Sequence, residues 1–266
     1  MKKIFITCDM EGVSGCTGWD SVIKGKEDYF RLRQQMTREL VSVVNSINDS
    51  FSDCEVVIKD AHDGGDNILI GELPENCKLI TGWYGGPMSM IQGLDETFDC
   101  SIFLGYHSGA GVANYPISHT YNSRRFARMA LNGRVCSEFT LNYLKSWDLK
   151  VPVVLVSGDA DLCEHINDFD PRIQTVAATR GYGASITSKA PARVNKELFE
   201  AFKKVRLEDF KDFNLDYRSY ELEIEYSKQT DAIKASFYPG TKRQGEKKLS
   251  FSGKSIDEIL VALLFI

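Results

Sequence analysis

Three short apolar runs each stop at a residue able to bind a metal ion or move a proton. KKIFITC leads into Asp9-Met10-Glu11, EVVIKDA into His62, and SIFLGY into His107. His119 follows a dozen residues after His107. In an extended chain, residues i and i+2 project to the same side, so Asp9 and Glu11 face one way. Two such carboxylates repel unless a cation or hydrogen-bond donors lie between them. Asp60 shares a side with His62 and is suited either to orient it or to cap the turn. Gly12 and Gly15 let the backbone pack tightly around whatever the carboxylates hold. Gly105, Gly109 and Gly111 around His107 imply a turn that something approaches closely. Taken singly, each motif also fits a polar loop, and His119 fits a surface or satisfied core histidine. His165, in the acidic CEHIND segment, is assigned to the surface. Carboxylates and imidazoles together suit zinc and tolerate manganese or cobalt.

These residues must be positioned by the elements that precede them. Lys3–Cys8, Glu55–Lys59, Lys78–Thr81, Ser101–Gly105 and Val151–Ser157 are continuous apolar runs, as expected of strands buried on both faces. Between the first two lies Glu27–Ile47, with Leu32, Met36, Leu40, Val43, Val44 and Ile47 at helical spacing. Strand, helix, strand in this order predicts an α/β fold with a doubly wound, mostly parallel sheet. In such sheets, ligands bind beyond the carboxyl ends of the strands, beside the topological switch point. If the runs are parallel neighbours, Asp9, Glu11, His62 and His107 meet there. We assign residues 1–190 to this α/β metal-binding catalytic domain.

Residues 191–266 read as a smaller C-terminal α+β subdomain. Asn195–Val205 carries Leu198, Phe199, Phe202 and Val205 on one helical face. Tyr220–Tyr226 alternates between apolar residues and glutamates, which marks a strand with one wet face. Lys247–Phe251 is a weaker strand, and Ser255–Phe265 a helix with Ser255 as its N-cap.

Composition excludes several partners. The net charge is −5 over 266 residues, with no basic block, so no nucleic acid is expected. The longest apolar run, ILVALLFI, is too short to span a bilayer, so no membrane partner is expected. The chain starts on a strand-like segment rather than a charged and then apolar leader. Seven cysteines form an odd set without a CxxC pair and read as reduced thiols of a cytoplasmic protein. Cys16 stands out because it sits in the Gly-rich loop after Glu11. There is no GxSxG, HExxH, Walker A or EF-hand pattern. Gly181-Tyr182-Gly183 lacks the third glycine of a dinucleotide fingerprint.

The strings CDMEGVSG, KDAHDGG, MIQGLDETFD, FLGYHSGAG and ISHTY, in this order, resemble the dinuclear zinc D-aminopeptidases of the DppA type, peptidase family M55. The resemblance is well defined from Lys3 to about Pro191. It continues more loosely through YELEIEYS and YPGTKR. It implies two Zn²⁺ per chain, with Asp9 bridging them, Glu11 completing one site, and His62 and His107 binding the other metal. The later glutamate ligand matches Glu138 in RVCSEFTLNY, where Ser137 replaces the usual glycine. The catalytic histidine matches His119, as nucleophile, base or hydrogen-bond donor. The resemblance also implies short peptide substrates with N-terminal D-residues, and a ring-shaped homo-oligomer, typically a decamer, with sites facing an inner chamber.

Charge bookkeeping agrees with such a centre. Two zinc ions bring about +4 against about −3 from Asp9, Glu11 and Glu138, which makes burial tolerable. Paired metals supply a nucleophile at neutral pH and polarise a carbonyl. Two other readings stay open from the residues alone. One is a dinuclear metal amidohydrolase or esterase of another substrate class. The other is a non-catalytic α/β binding protein whose metals only staple strand ends.

Overall fold

The computed structural model describes residues 1–211 and 219–266. In chain order the first elements are β1 (Lys2–Cys8), α1 (Trp19–Val22), α2 (Tyr29–Ser50), β2 (Cys54–Asp60), β3 (Cys77–Ile80) and β4 (Cys100–Tyr106). Then come β5 (Phe126–Leu131), β6 (Arg134–Val135), α3 (Glu138–Asp148), β7 (Val153–Asp159), α4 (Ala160–Phe169), β8 (Gln174–Tyr182) and β9 (Ser185–Ser188). The last are α5 (Pro191–Lys203), β10 (Tyr220–Tyr226), α6 (Gln229–Ala235), β11 (Thr241–Arg243), β12 (Lys248–Gly253) and α7 (Ile256–Leu263).

The larger sheet runs β3-β2-β1-β4-β7-β8-β9. All its pairs are parallel except β8 with β9. Its central strands are buried throughout, because helices cover both faces; this is why their sequences read as unbroken apolar runs. Helix α2 turns the expected stripe, Leu32, Met36, Leu40, Val43, Val44 and Ile47, into the core. From β1 the chain winds outward through β2 to β3. It then returns to lay β4 on the other side of β1 and winds outward again. The switch point therefore lies between β1 and β4, as the fold class requires.

Strand β7 begins two residues later than its apolar run suggests. Pro152 has no N–H to donate, and the Val151 N–H bonds instead to the Ser146 carbonyl at 2.9 Å. The strand then extends to Asp159.

At the switch point, β1 and β4 close on each other through glycine. The Gly12 N–H donates to the Gly105 carbonyl at 2.8 Å. A Cβ on Gly12 would lie 1.9 Å from the Tyr106 carbonyl oxygen. Gly105 has φ +68°, and its Cβ would lie 2.2 Å from the Asp9 carbonyl oxygen. Larger residues at either position would force these strand ends apart.

The second sheet is antiparallel, in the order β11-β12-β10-β5-β6. Strand β10 buries Leu222, Ile224 and Tyr226 and exposes Glu221 and Glu223, the expected wet-faced pattern. Its neighbour β5 pairs Leu131 with Leu222 and Met129 with Ile224. This sheet thus draws β5 and β6 from the first 190 residues. Conversely α5, from beyond 190, packs on α2, where Ser42 and Ser46 hydroxyls donate to the Asn195 and Phe199 carbonyls at 2.6 and 2.7 Å. Ser255 caps α7 by accepting the Glu258 N–H at 3.3 Å. Among the described residues, no helix is long and apolar enough to cross a membrane.

Candidate metal centre

The strand register carries the polar residues to one place. Beyond the last pairs of β1, the Asp9 N–H donates to the Leu104 carbonyl and the Ala61 N–H donates to the Cys8 carbonyl, both at 2.8 Å. Asp9, Glu11, His62 and His107 therefore emerge side by side, and all four are buried. Glu138 joins them as the first residue of α3. Ser137 caps that helix by accepting the Thr140 N–H at 3.2 Å, while Thr140 Oγ1 accepts the Ser137 N–H at 3.3 Å. A carboxylate in this first turn is favoured by the helix dipole.

Three histidines are each fixed by a main-chain carbonyl. His62 Nε2–H donates to Val22 at 2.7 Å, His107 Nδ1–H to Ser108 at 2.9 Å, and His119 Nδ1–H to Ile117 at 3.0 Å. A carbonyl only accepts, so in each neutral ring the other nitrogen is a bare lone pair. His62 Nδ1 lies 3.1 Å from Asp9 Oδ1 and 3.0 Å from Glu11 Oε2. His107 Nε2 lies 3.3 Å from Glu138 Oε2 and 3.5 Å from Asp9 Oδ2. Glu11 Oε2 and His107 Nε2 are buried yet make no hydrogen bond despite these short separations. Buried orphan acceptors aimed at one another are costly unless a cation lies between them.

Two groups result. Asp9, Glu11 and His62 offer ligand atoms within 4.8 Å of one another, and so do His107, His119 and Glu138. Asp9 presents Oδ1 to His62 and Oδ2 to His107, so its two oxygens face the two groups. The pairing of His62 with His107 on one metal, implied by the resemblance, differs from this geometry. The two rings flank Asp9 on opposite sides, which puts His62 with Glu11 and His107 with Glu138. Asp60 is no ligand: its carboxylate accepts the Asn67 and Ile68 N–H groups and the Asn67 amide, the last at 2.8 Å, and so braces the turn after His62.

The electrostatics report the same frustration. Burial, and then the Glu11 charge, push Asp9 well above the usual carboxylate range. Burial works against the Glu11 carboxylate too, but His62 outweighs it and holds Glu11 well below its ordinary value. Burial likewise opposes charging of His62 and His107; Glu11 and Glu138 respectively overcome it and raise both rings. A pocket that draws protons onto buried imidazoles is one where a divalent cation competes with protons. His119 behaves oppositely, since burial and then His107 lower it.

His119 stacks on His107 with centroids 4.2 Å apart and planes at 10°, and Trp19 packs against it, tilted by 54°, at 5.3 Å. Its Nε2 is 3.9 Å from Glu138 Oε1, which already accepts the Tyr121 N–H at 2.7 Å. These groups line a cleft of about 1180 Å³.

The sequence model of the peptidase M55 family, described as D-aminopeptidase, matches residues 1–265. The chain belongs to this family. The D-aminopeptidase of Bacillus subtilis (strain 168) is 30% identical over 269 residues, which span 98% of this chain and 95% of that protein. The solved structure of the Zn-dependent D-aminopeptidase DppA from Bacillus subtilis, described as a self-compartmentalizing protease, superposes with a TM-score of 0.88. It is 29% identical, and the match covers 98% of this chain and 95% of that one.

Within this M55 chain, three contributors have no motif of their own. Short helix α1 supplies both the Val22 carbonyl that fixes His62 and the Trp19 ring against His119. Asp159, at the end of β7, accepts the Ser108 N–H and the Ser108 hydroxyl, the latter at 2.7 Å, and so holds the His107 turn. Gly109 is approached by Ser137, whose Cα would lie 2.9 Å from an added Cβ. The close approach read from the glycines around His107 is thus made there by protein backbone. A main-chain carbonyl or a lone Trp carries no sequence signal. Asp159 lies two residues past the Val151–Ser157 run and carries no signal of its own. His165, expected at the surface, is half-buried on α4 and stacks on Phe169 with centroids 6.0 Å apart.

Proposed function

We propose that this chain is a zinc-dependent aminopeptidase that hydrolyses short peptides, with N-terminal D-residues preferred, through two zinc ions per chain. The observation that carries the reading is the pair of buried orphan atoms, Glu11 Oε2 and His107 Nε2, on the two sides of Asp9. Family membership and the D-aminopeptidase activity named for the relatives support the substrate class. Asp9, Glu11 and His62 would hold one ion; Asp9, His107 and Glu138 would hold the other. When bound, such a pair supplies a nucleophile at neutral pH and stabilises the developing oxyanion.

The side chains do the rest. Val22 and Ser108 carbonyls hold the two ligating rings in the required tautomer. His119, the most accessible of the three histidines, is placed outside the ligand set in this reading. Its Nε2 accepts a proton as the attack proceeds and returns it to the leaving amine. Contacts with His107 and Trp19 restrict rotation of the ring. A histidine beside the ligand set but outside it favours catalysis over a stapling role. The relatives' activity disfavours other amidohydrolase classes.

Two further features belong to this reading. We infer a ring-shaped homo-oligomer, a decamer by family resemblance. Phe237, Leu264 and Phe265 are exposed around the α6–α7 corner, with Phe237 82% and Phe265 63% accessible; such surface calls for a cover. We also infer a cytoplasmic location, supported by an odd set of cysteines of which five are buried.

The test is turnover of matched D-alanyl and L-alanyl di- and tripeptides by zinc-loaded protein. Release of the N-terminal residue, faster for the D-series and abolished by chelation, is expected. Metal-replete protein that cleaves no aminoacyl peptide, amide or ester would instead favour a binding protein.

A further inference from the structure

The cleft is chemically lopsided. Its lining includes Asp9, Glu11, Glu138, His62 and His119, together with the apolar Trp83, Ile23, Leu260 and Leu263. Asp63 adds another acid. Among the described residues that line it, Arg124 alone carries a fixed positive charge. Arg124 is exposed, and no ion pair or hydrogen bond of its guanidinium occurs among the described residues.

Its neighbour behaves differently. Arg125 lies over the rings of Phe126 and Tyr226, at 5.4 and 5.7 Å from their centroids. Arg125 is therefore used in packing, whereas Arg124 is presented to the cleft. The backbone that presents it is fixed. Asn122 Oδ1 accepts the N–H groups of both Arg124 and Arg125 at 3.1 Å, and the Asn122 carbonyl accepts the Phe126 N–H at 3.1 Å. This turn follows His119 and Tyr121 directly, so the guanidinium is tied to the wall that carries the proposed proton-transfer residue.

We propose that Arg124 binds the C-terminal carboxylate of the peptide and so selects short substrates with a free C-terminus. The inference rests on the aminopeptidase reading and deepens it. A short peptide is a zwitterion. Its amine belongs beside the ligand groups, where the scissile bond of an aminopeptidase substrate must lie. Its carboxylate would be repelled by Asp63, which lies outside the ligand groups, and Arg124 is the one fixed cation among the described lining residues that can offset this. A guanidinium offers two parallel N–H donors that match a carboxylate. Arg124 is a specificity-determining residue, and it acts mainly on KM because its contact is the same in ground and transition states.

The test uses zinc-loaded full-length protein and D-alanyl di- and tripeptides, each as free acid and as C-terminal amide. At one chain length at least, kcat/KM for the acid should exceed that for the amide by about tenfold or more, mostly through KM. Arg124→Gln should bring that ratio to near one, and Arg124→Lys should restore part of it. An acid-to-amide ratio near one in the unsubstituted protein, or a ratio that survives in Arg124→Gln, overturns the proposal. Calorimetric binding of the same acid and amide pairs at low temperature gives a second readout that does not need turnover. If no peptide is cleaved, the aminopeptidase reading falls. Equal affinities for acid and amide then overturn the Arg124 assignment separately, and an acid preference lost in Arg124→Gln upholds it.

Discussion

His119→Ala should keep its fold and its metals while kcat falls by roughly two to four orders of magnitude. The ring packs against Trp19 and His107 and donates one hydrogen bond to the Ile117 carbonyl. It is partly open to the cleft, with 13% of its side chain accessible. Truncation there opens onto the cleft, and Glu138 stays anchored by the Tyr121 N–H. Metal content and circular dichroism should therefore match those of the unsubstituted protein. The loss should lie in kcat rather than KM, because a proton in transit is bound only in the transition state. Near-normal turnover would remove His119 from the mechanism. Loss of one metal would instead make it a ligand, with the His107, His119 and Glu138 group acting as a set.

Asp9→Ala should abolish turnover and lose both metals. Its two oxygens face the two ligand groups, so no other residue replaces it on either side. Glu11→Ala, by contrast, removes an oxygen from the His62 group alone and should retain about one metal per chain. His107→Ala should lose the other metal. Elemental analysis of the three dialysed proteins separates these outcomes. Asp9→Ala with two metals bound would mean that Asp9 does not bridge, and the two-group arrangement would have to be redrawn.

Much of this centre was legible because its residues follow strands that announce themselves. Lys3–Cys8, Glu55–Lys59 and Ser101–Gly105 are apolar without interruption because helices cover both faces of the sheet. Each was located to within about two residues, and the polar residue after it was thereby placed at a strand end. The helix of Leu32 to Ile47 and the alternation of Tyr220–Tyr226 were legible for the same reason: burial periodicity is written locally. Long-range pairing is not. Nothing local in Phe126–Leu131 says that it lies beside Tyr220–Tyr226, and that pairing is what ties residues before 190 into the second sheet. The division of ligands between the two groups was also hidden. It depends on which face of Asp9 each imidazole approaches, and this follows from the order β2-β1-β4 rather than from spacing. The Val22 carbonyl, the Trp19 cover and the free guanidinium of Arg124 acquire meaning only once the cleft exists.

The central claim is that the buried ligand atoms around Asp9 hold a pair of zinc ions. Native mass spectrometry of chelator-free, zinc-reconstituted protein measures this directly. The account predicts about two zinc ions per chain, retained through buffer exchange and displaced, with uptake of protons by the ligands, as the pH falls through the histidine range. A reproducible value near zero per chain would contradict it, and a single ion would reduce the centre to one of its two ligand groups.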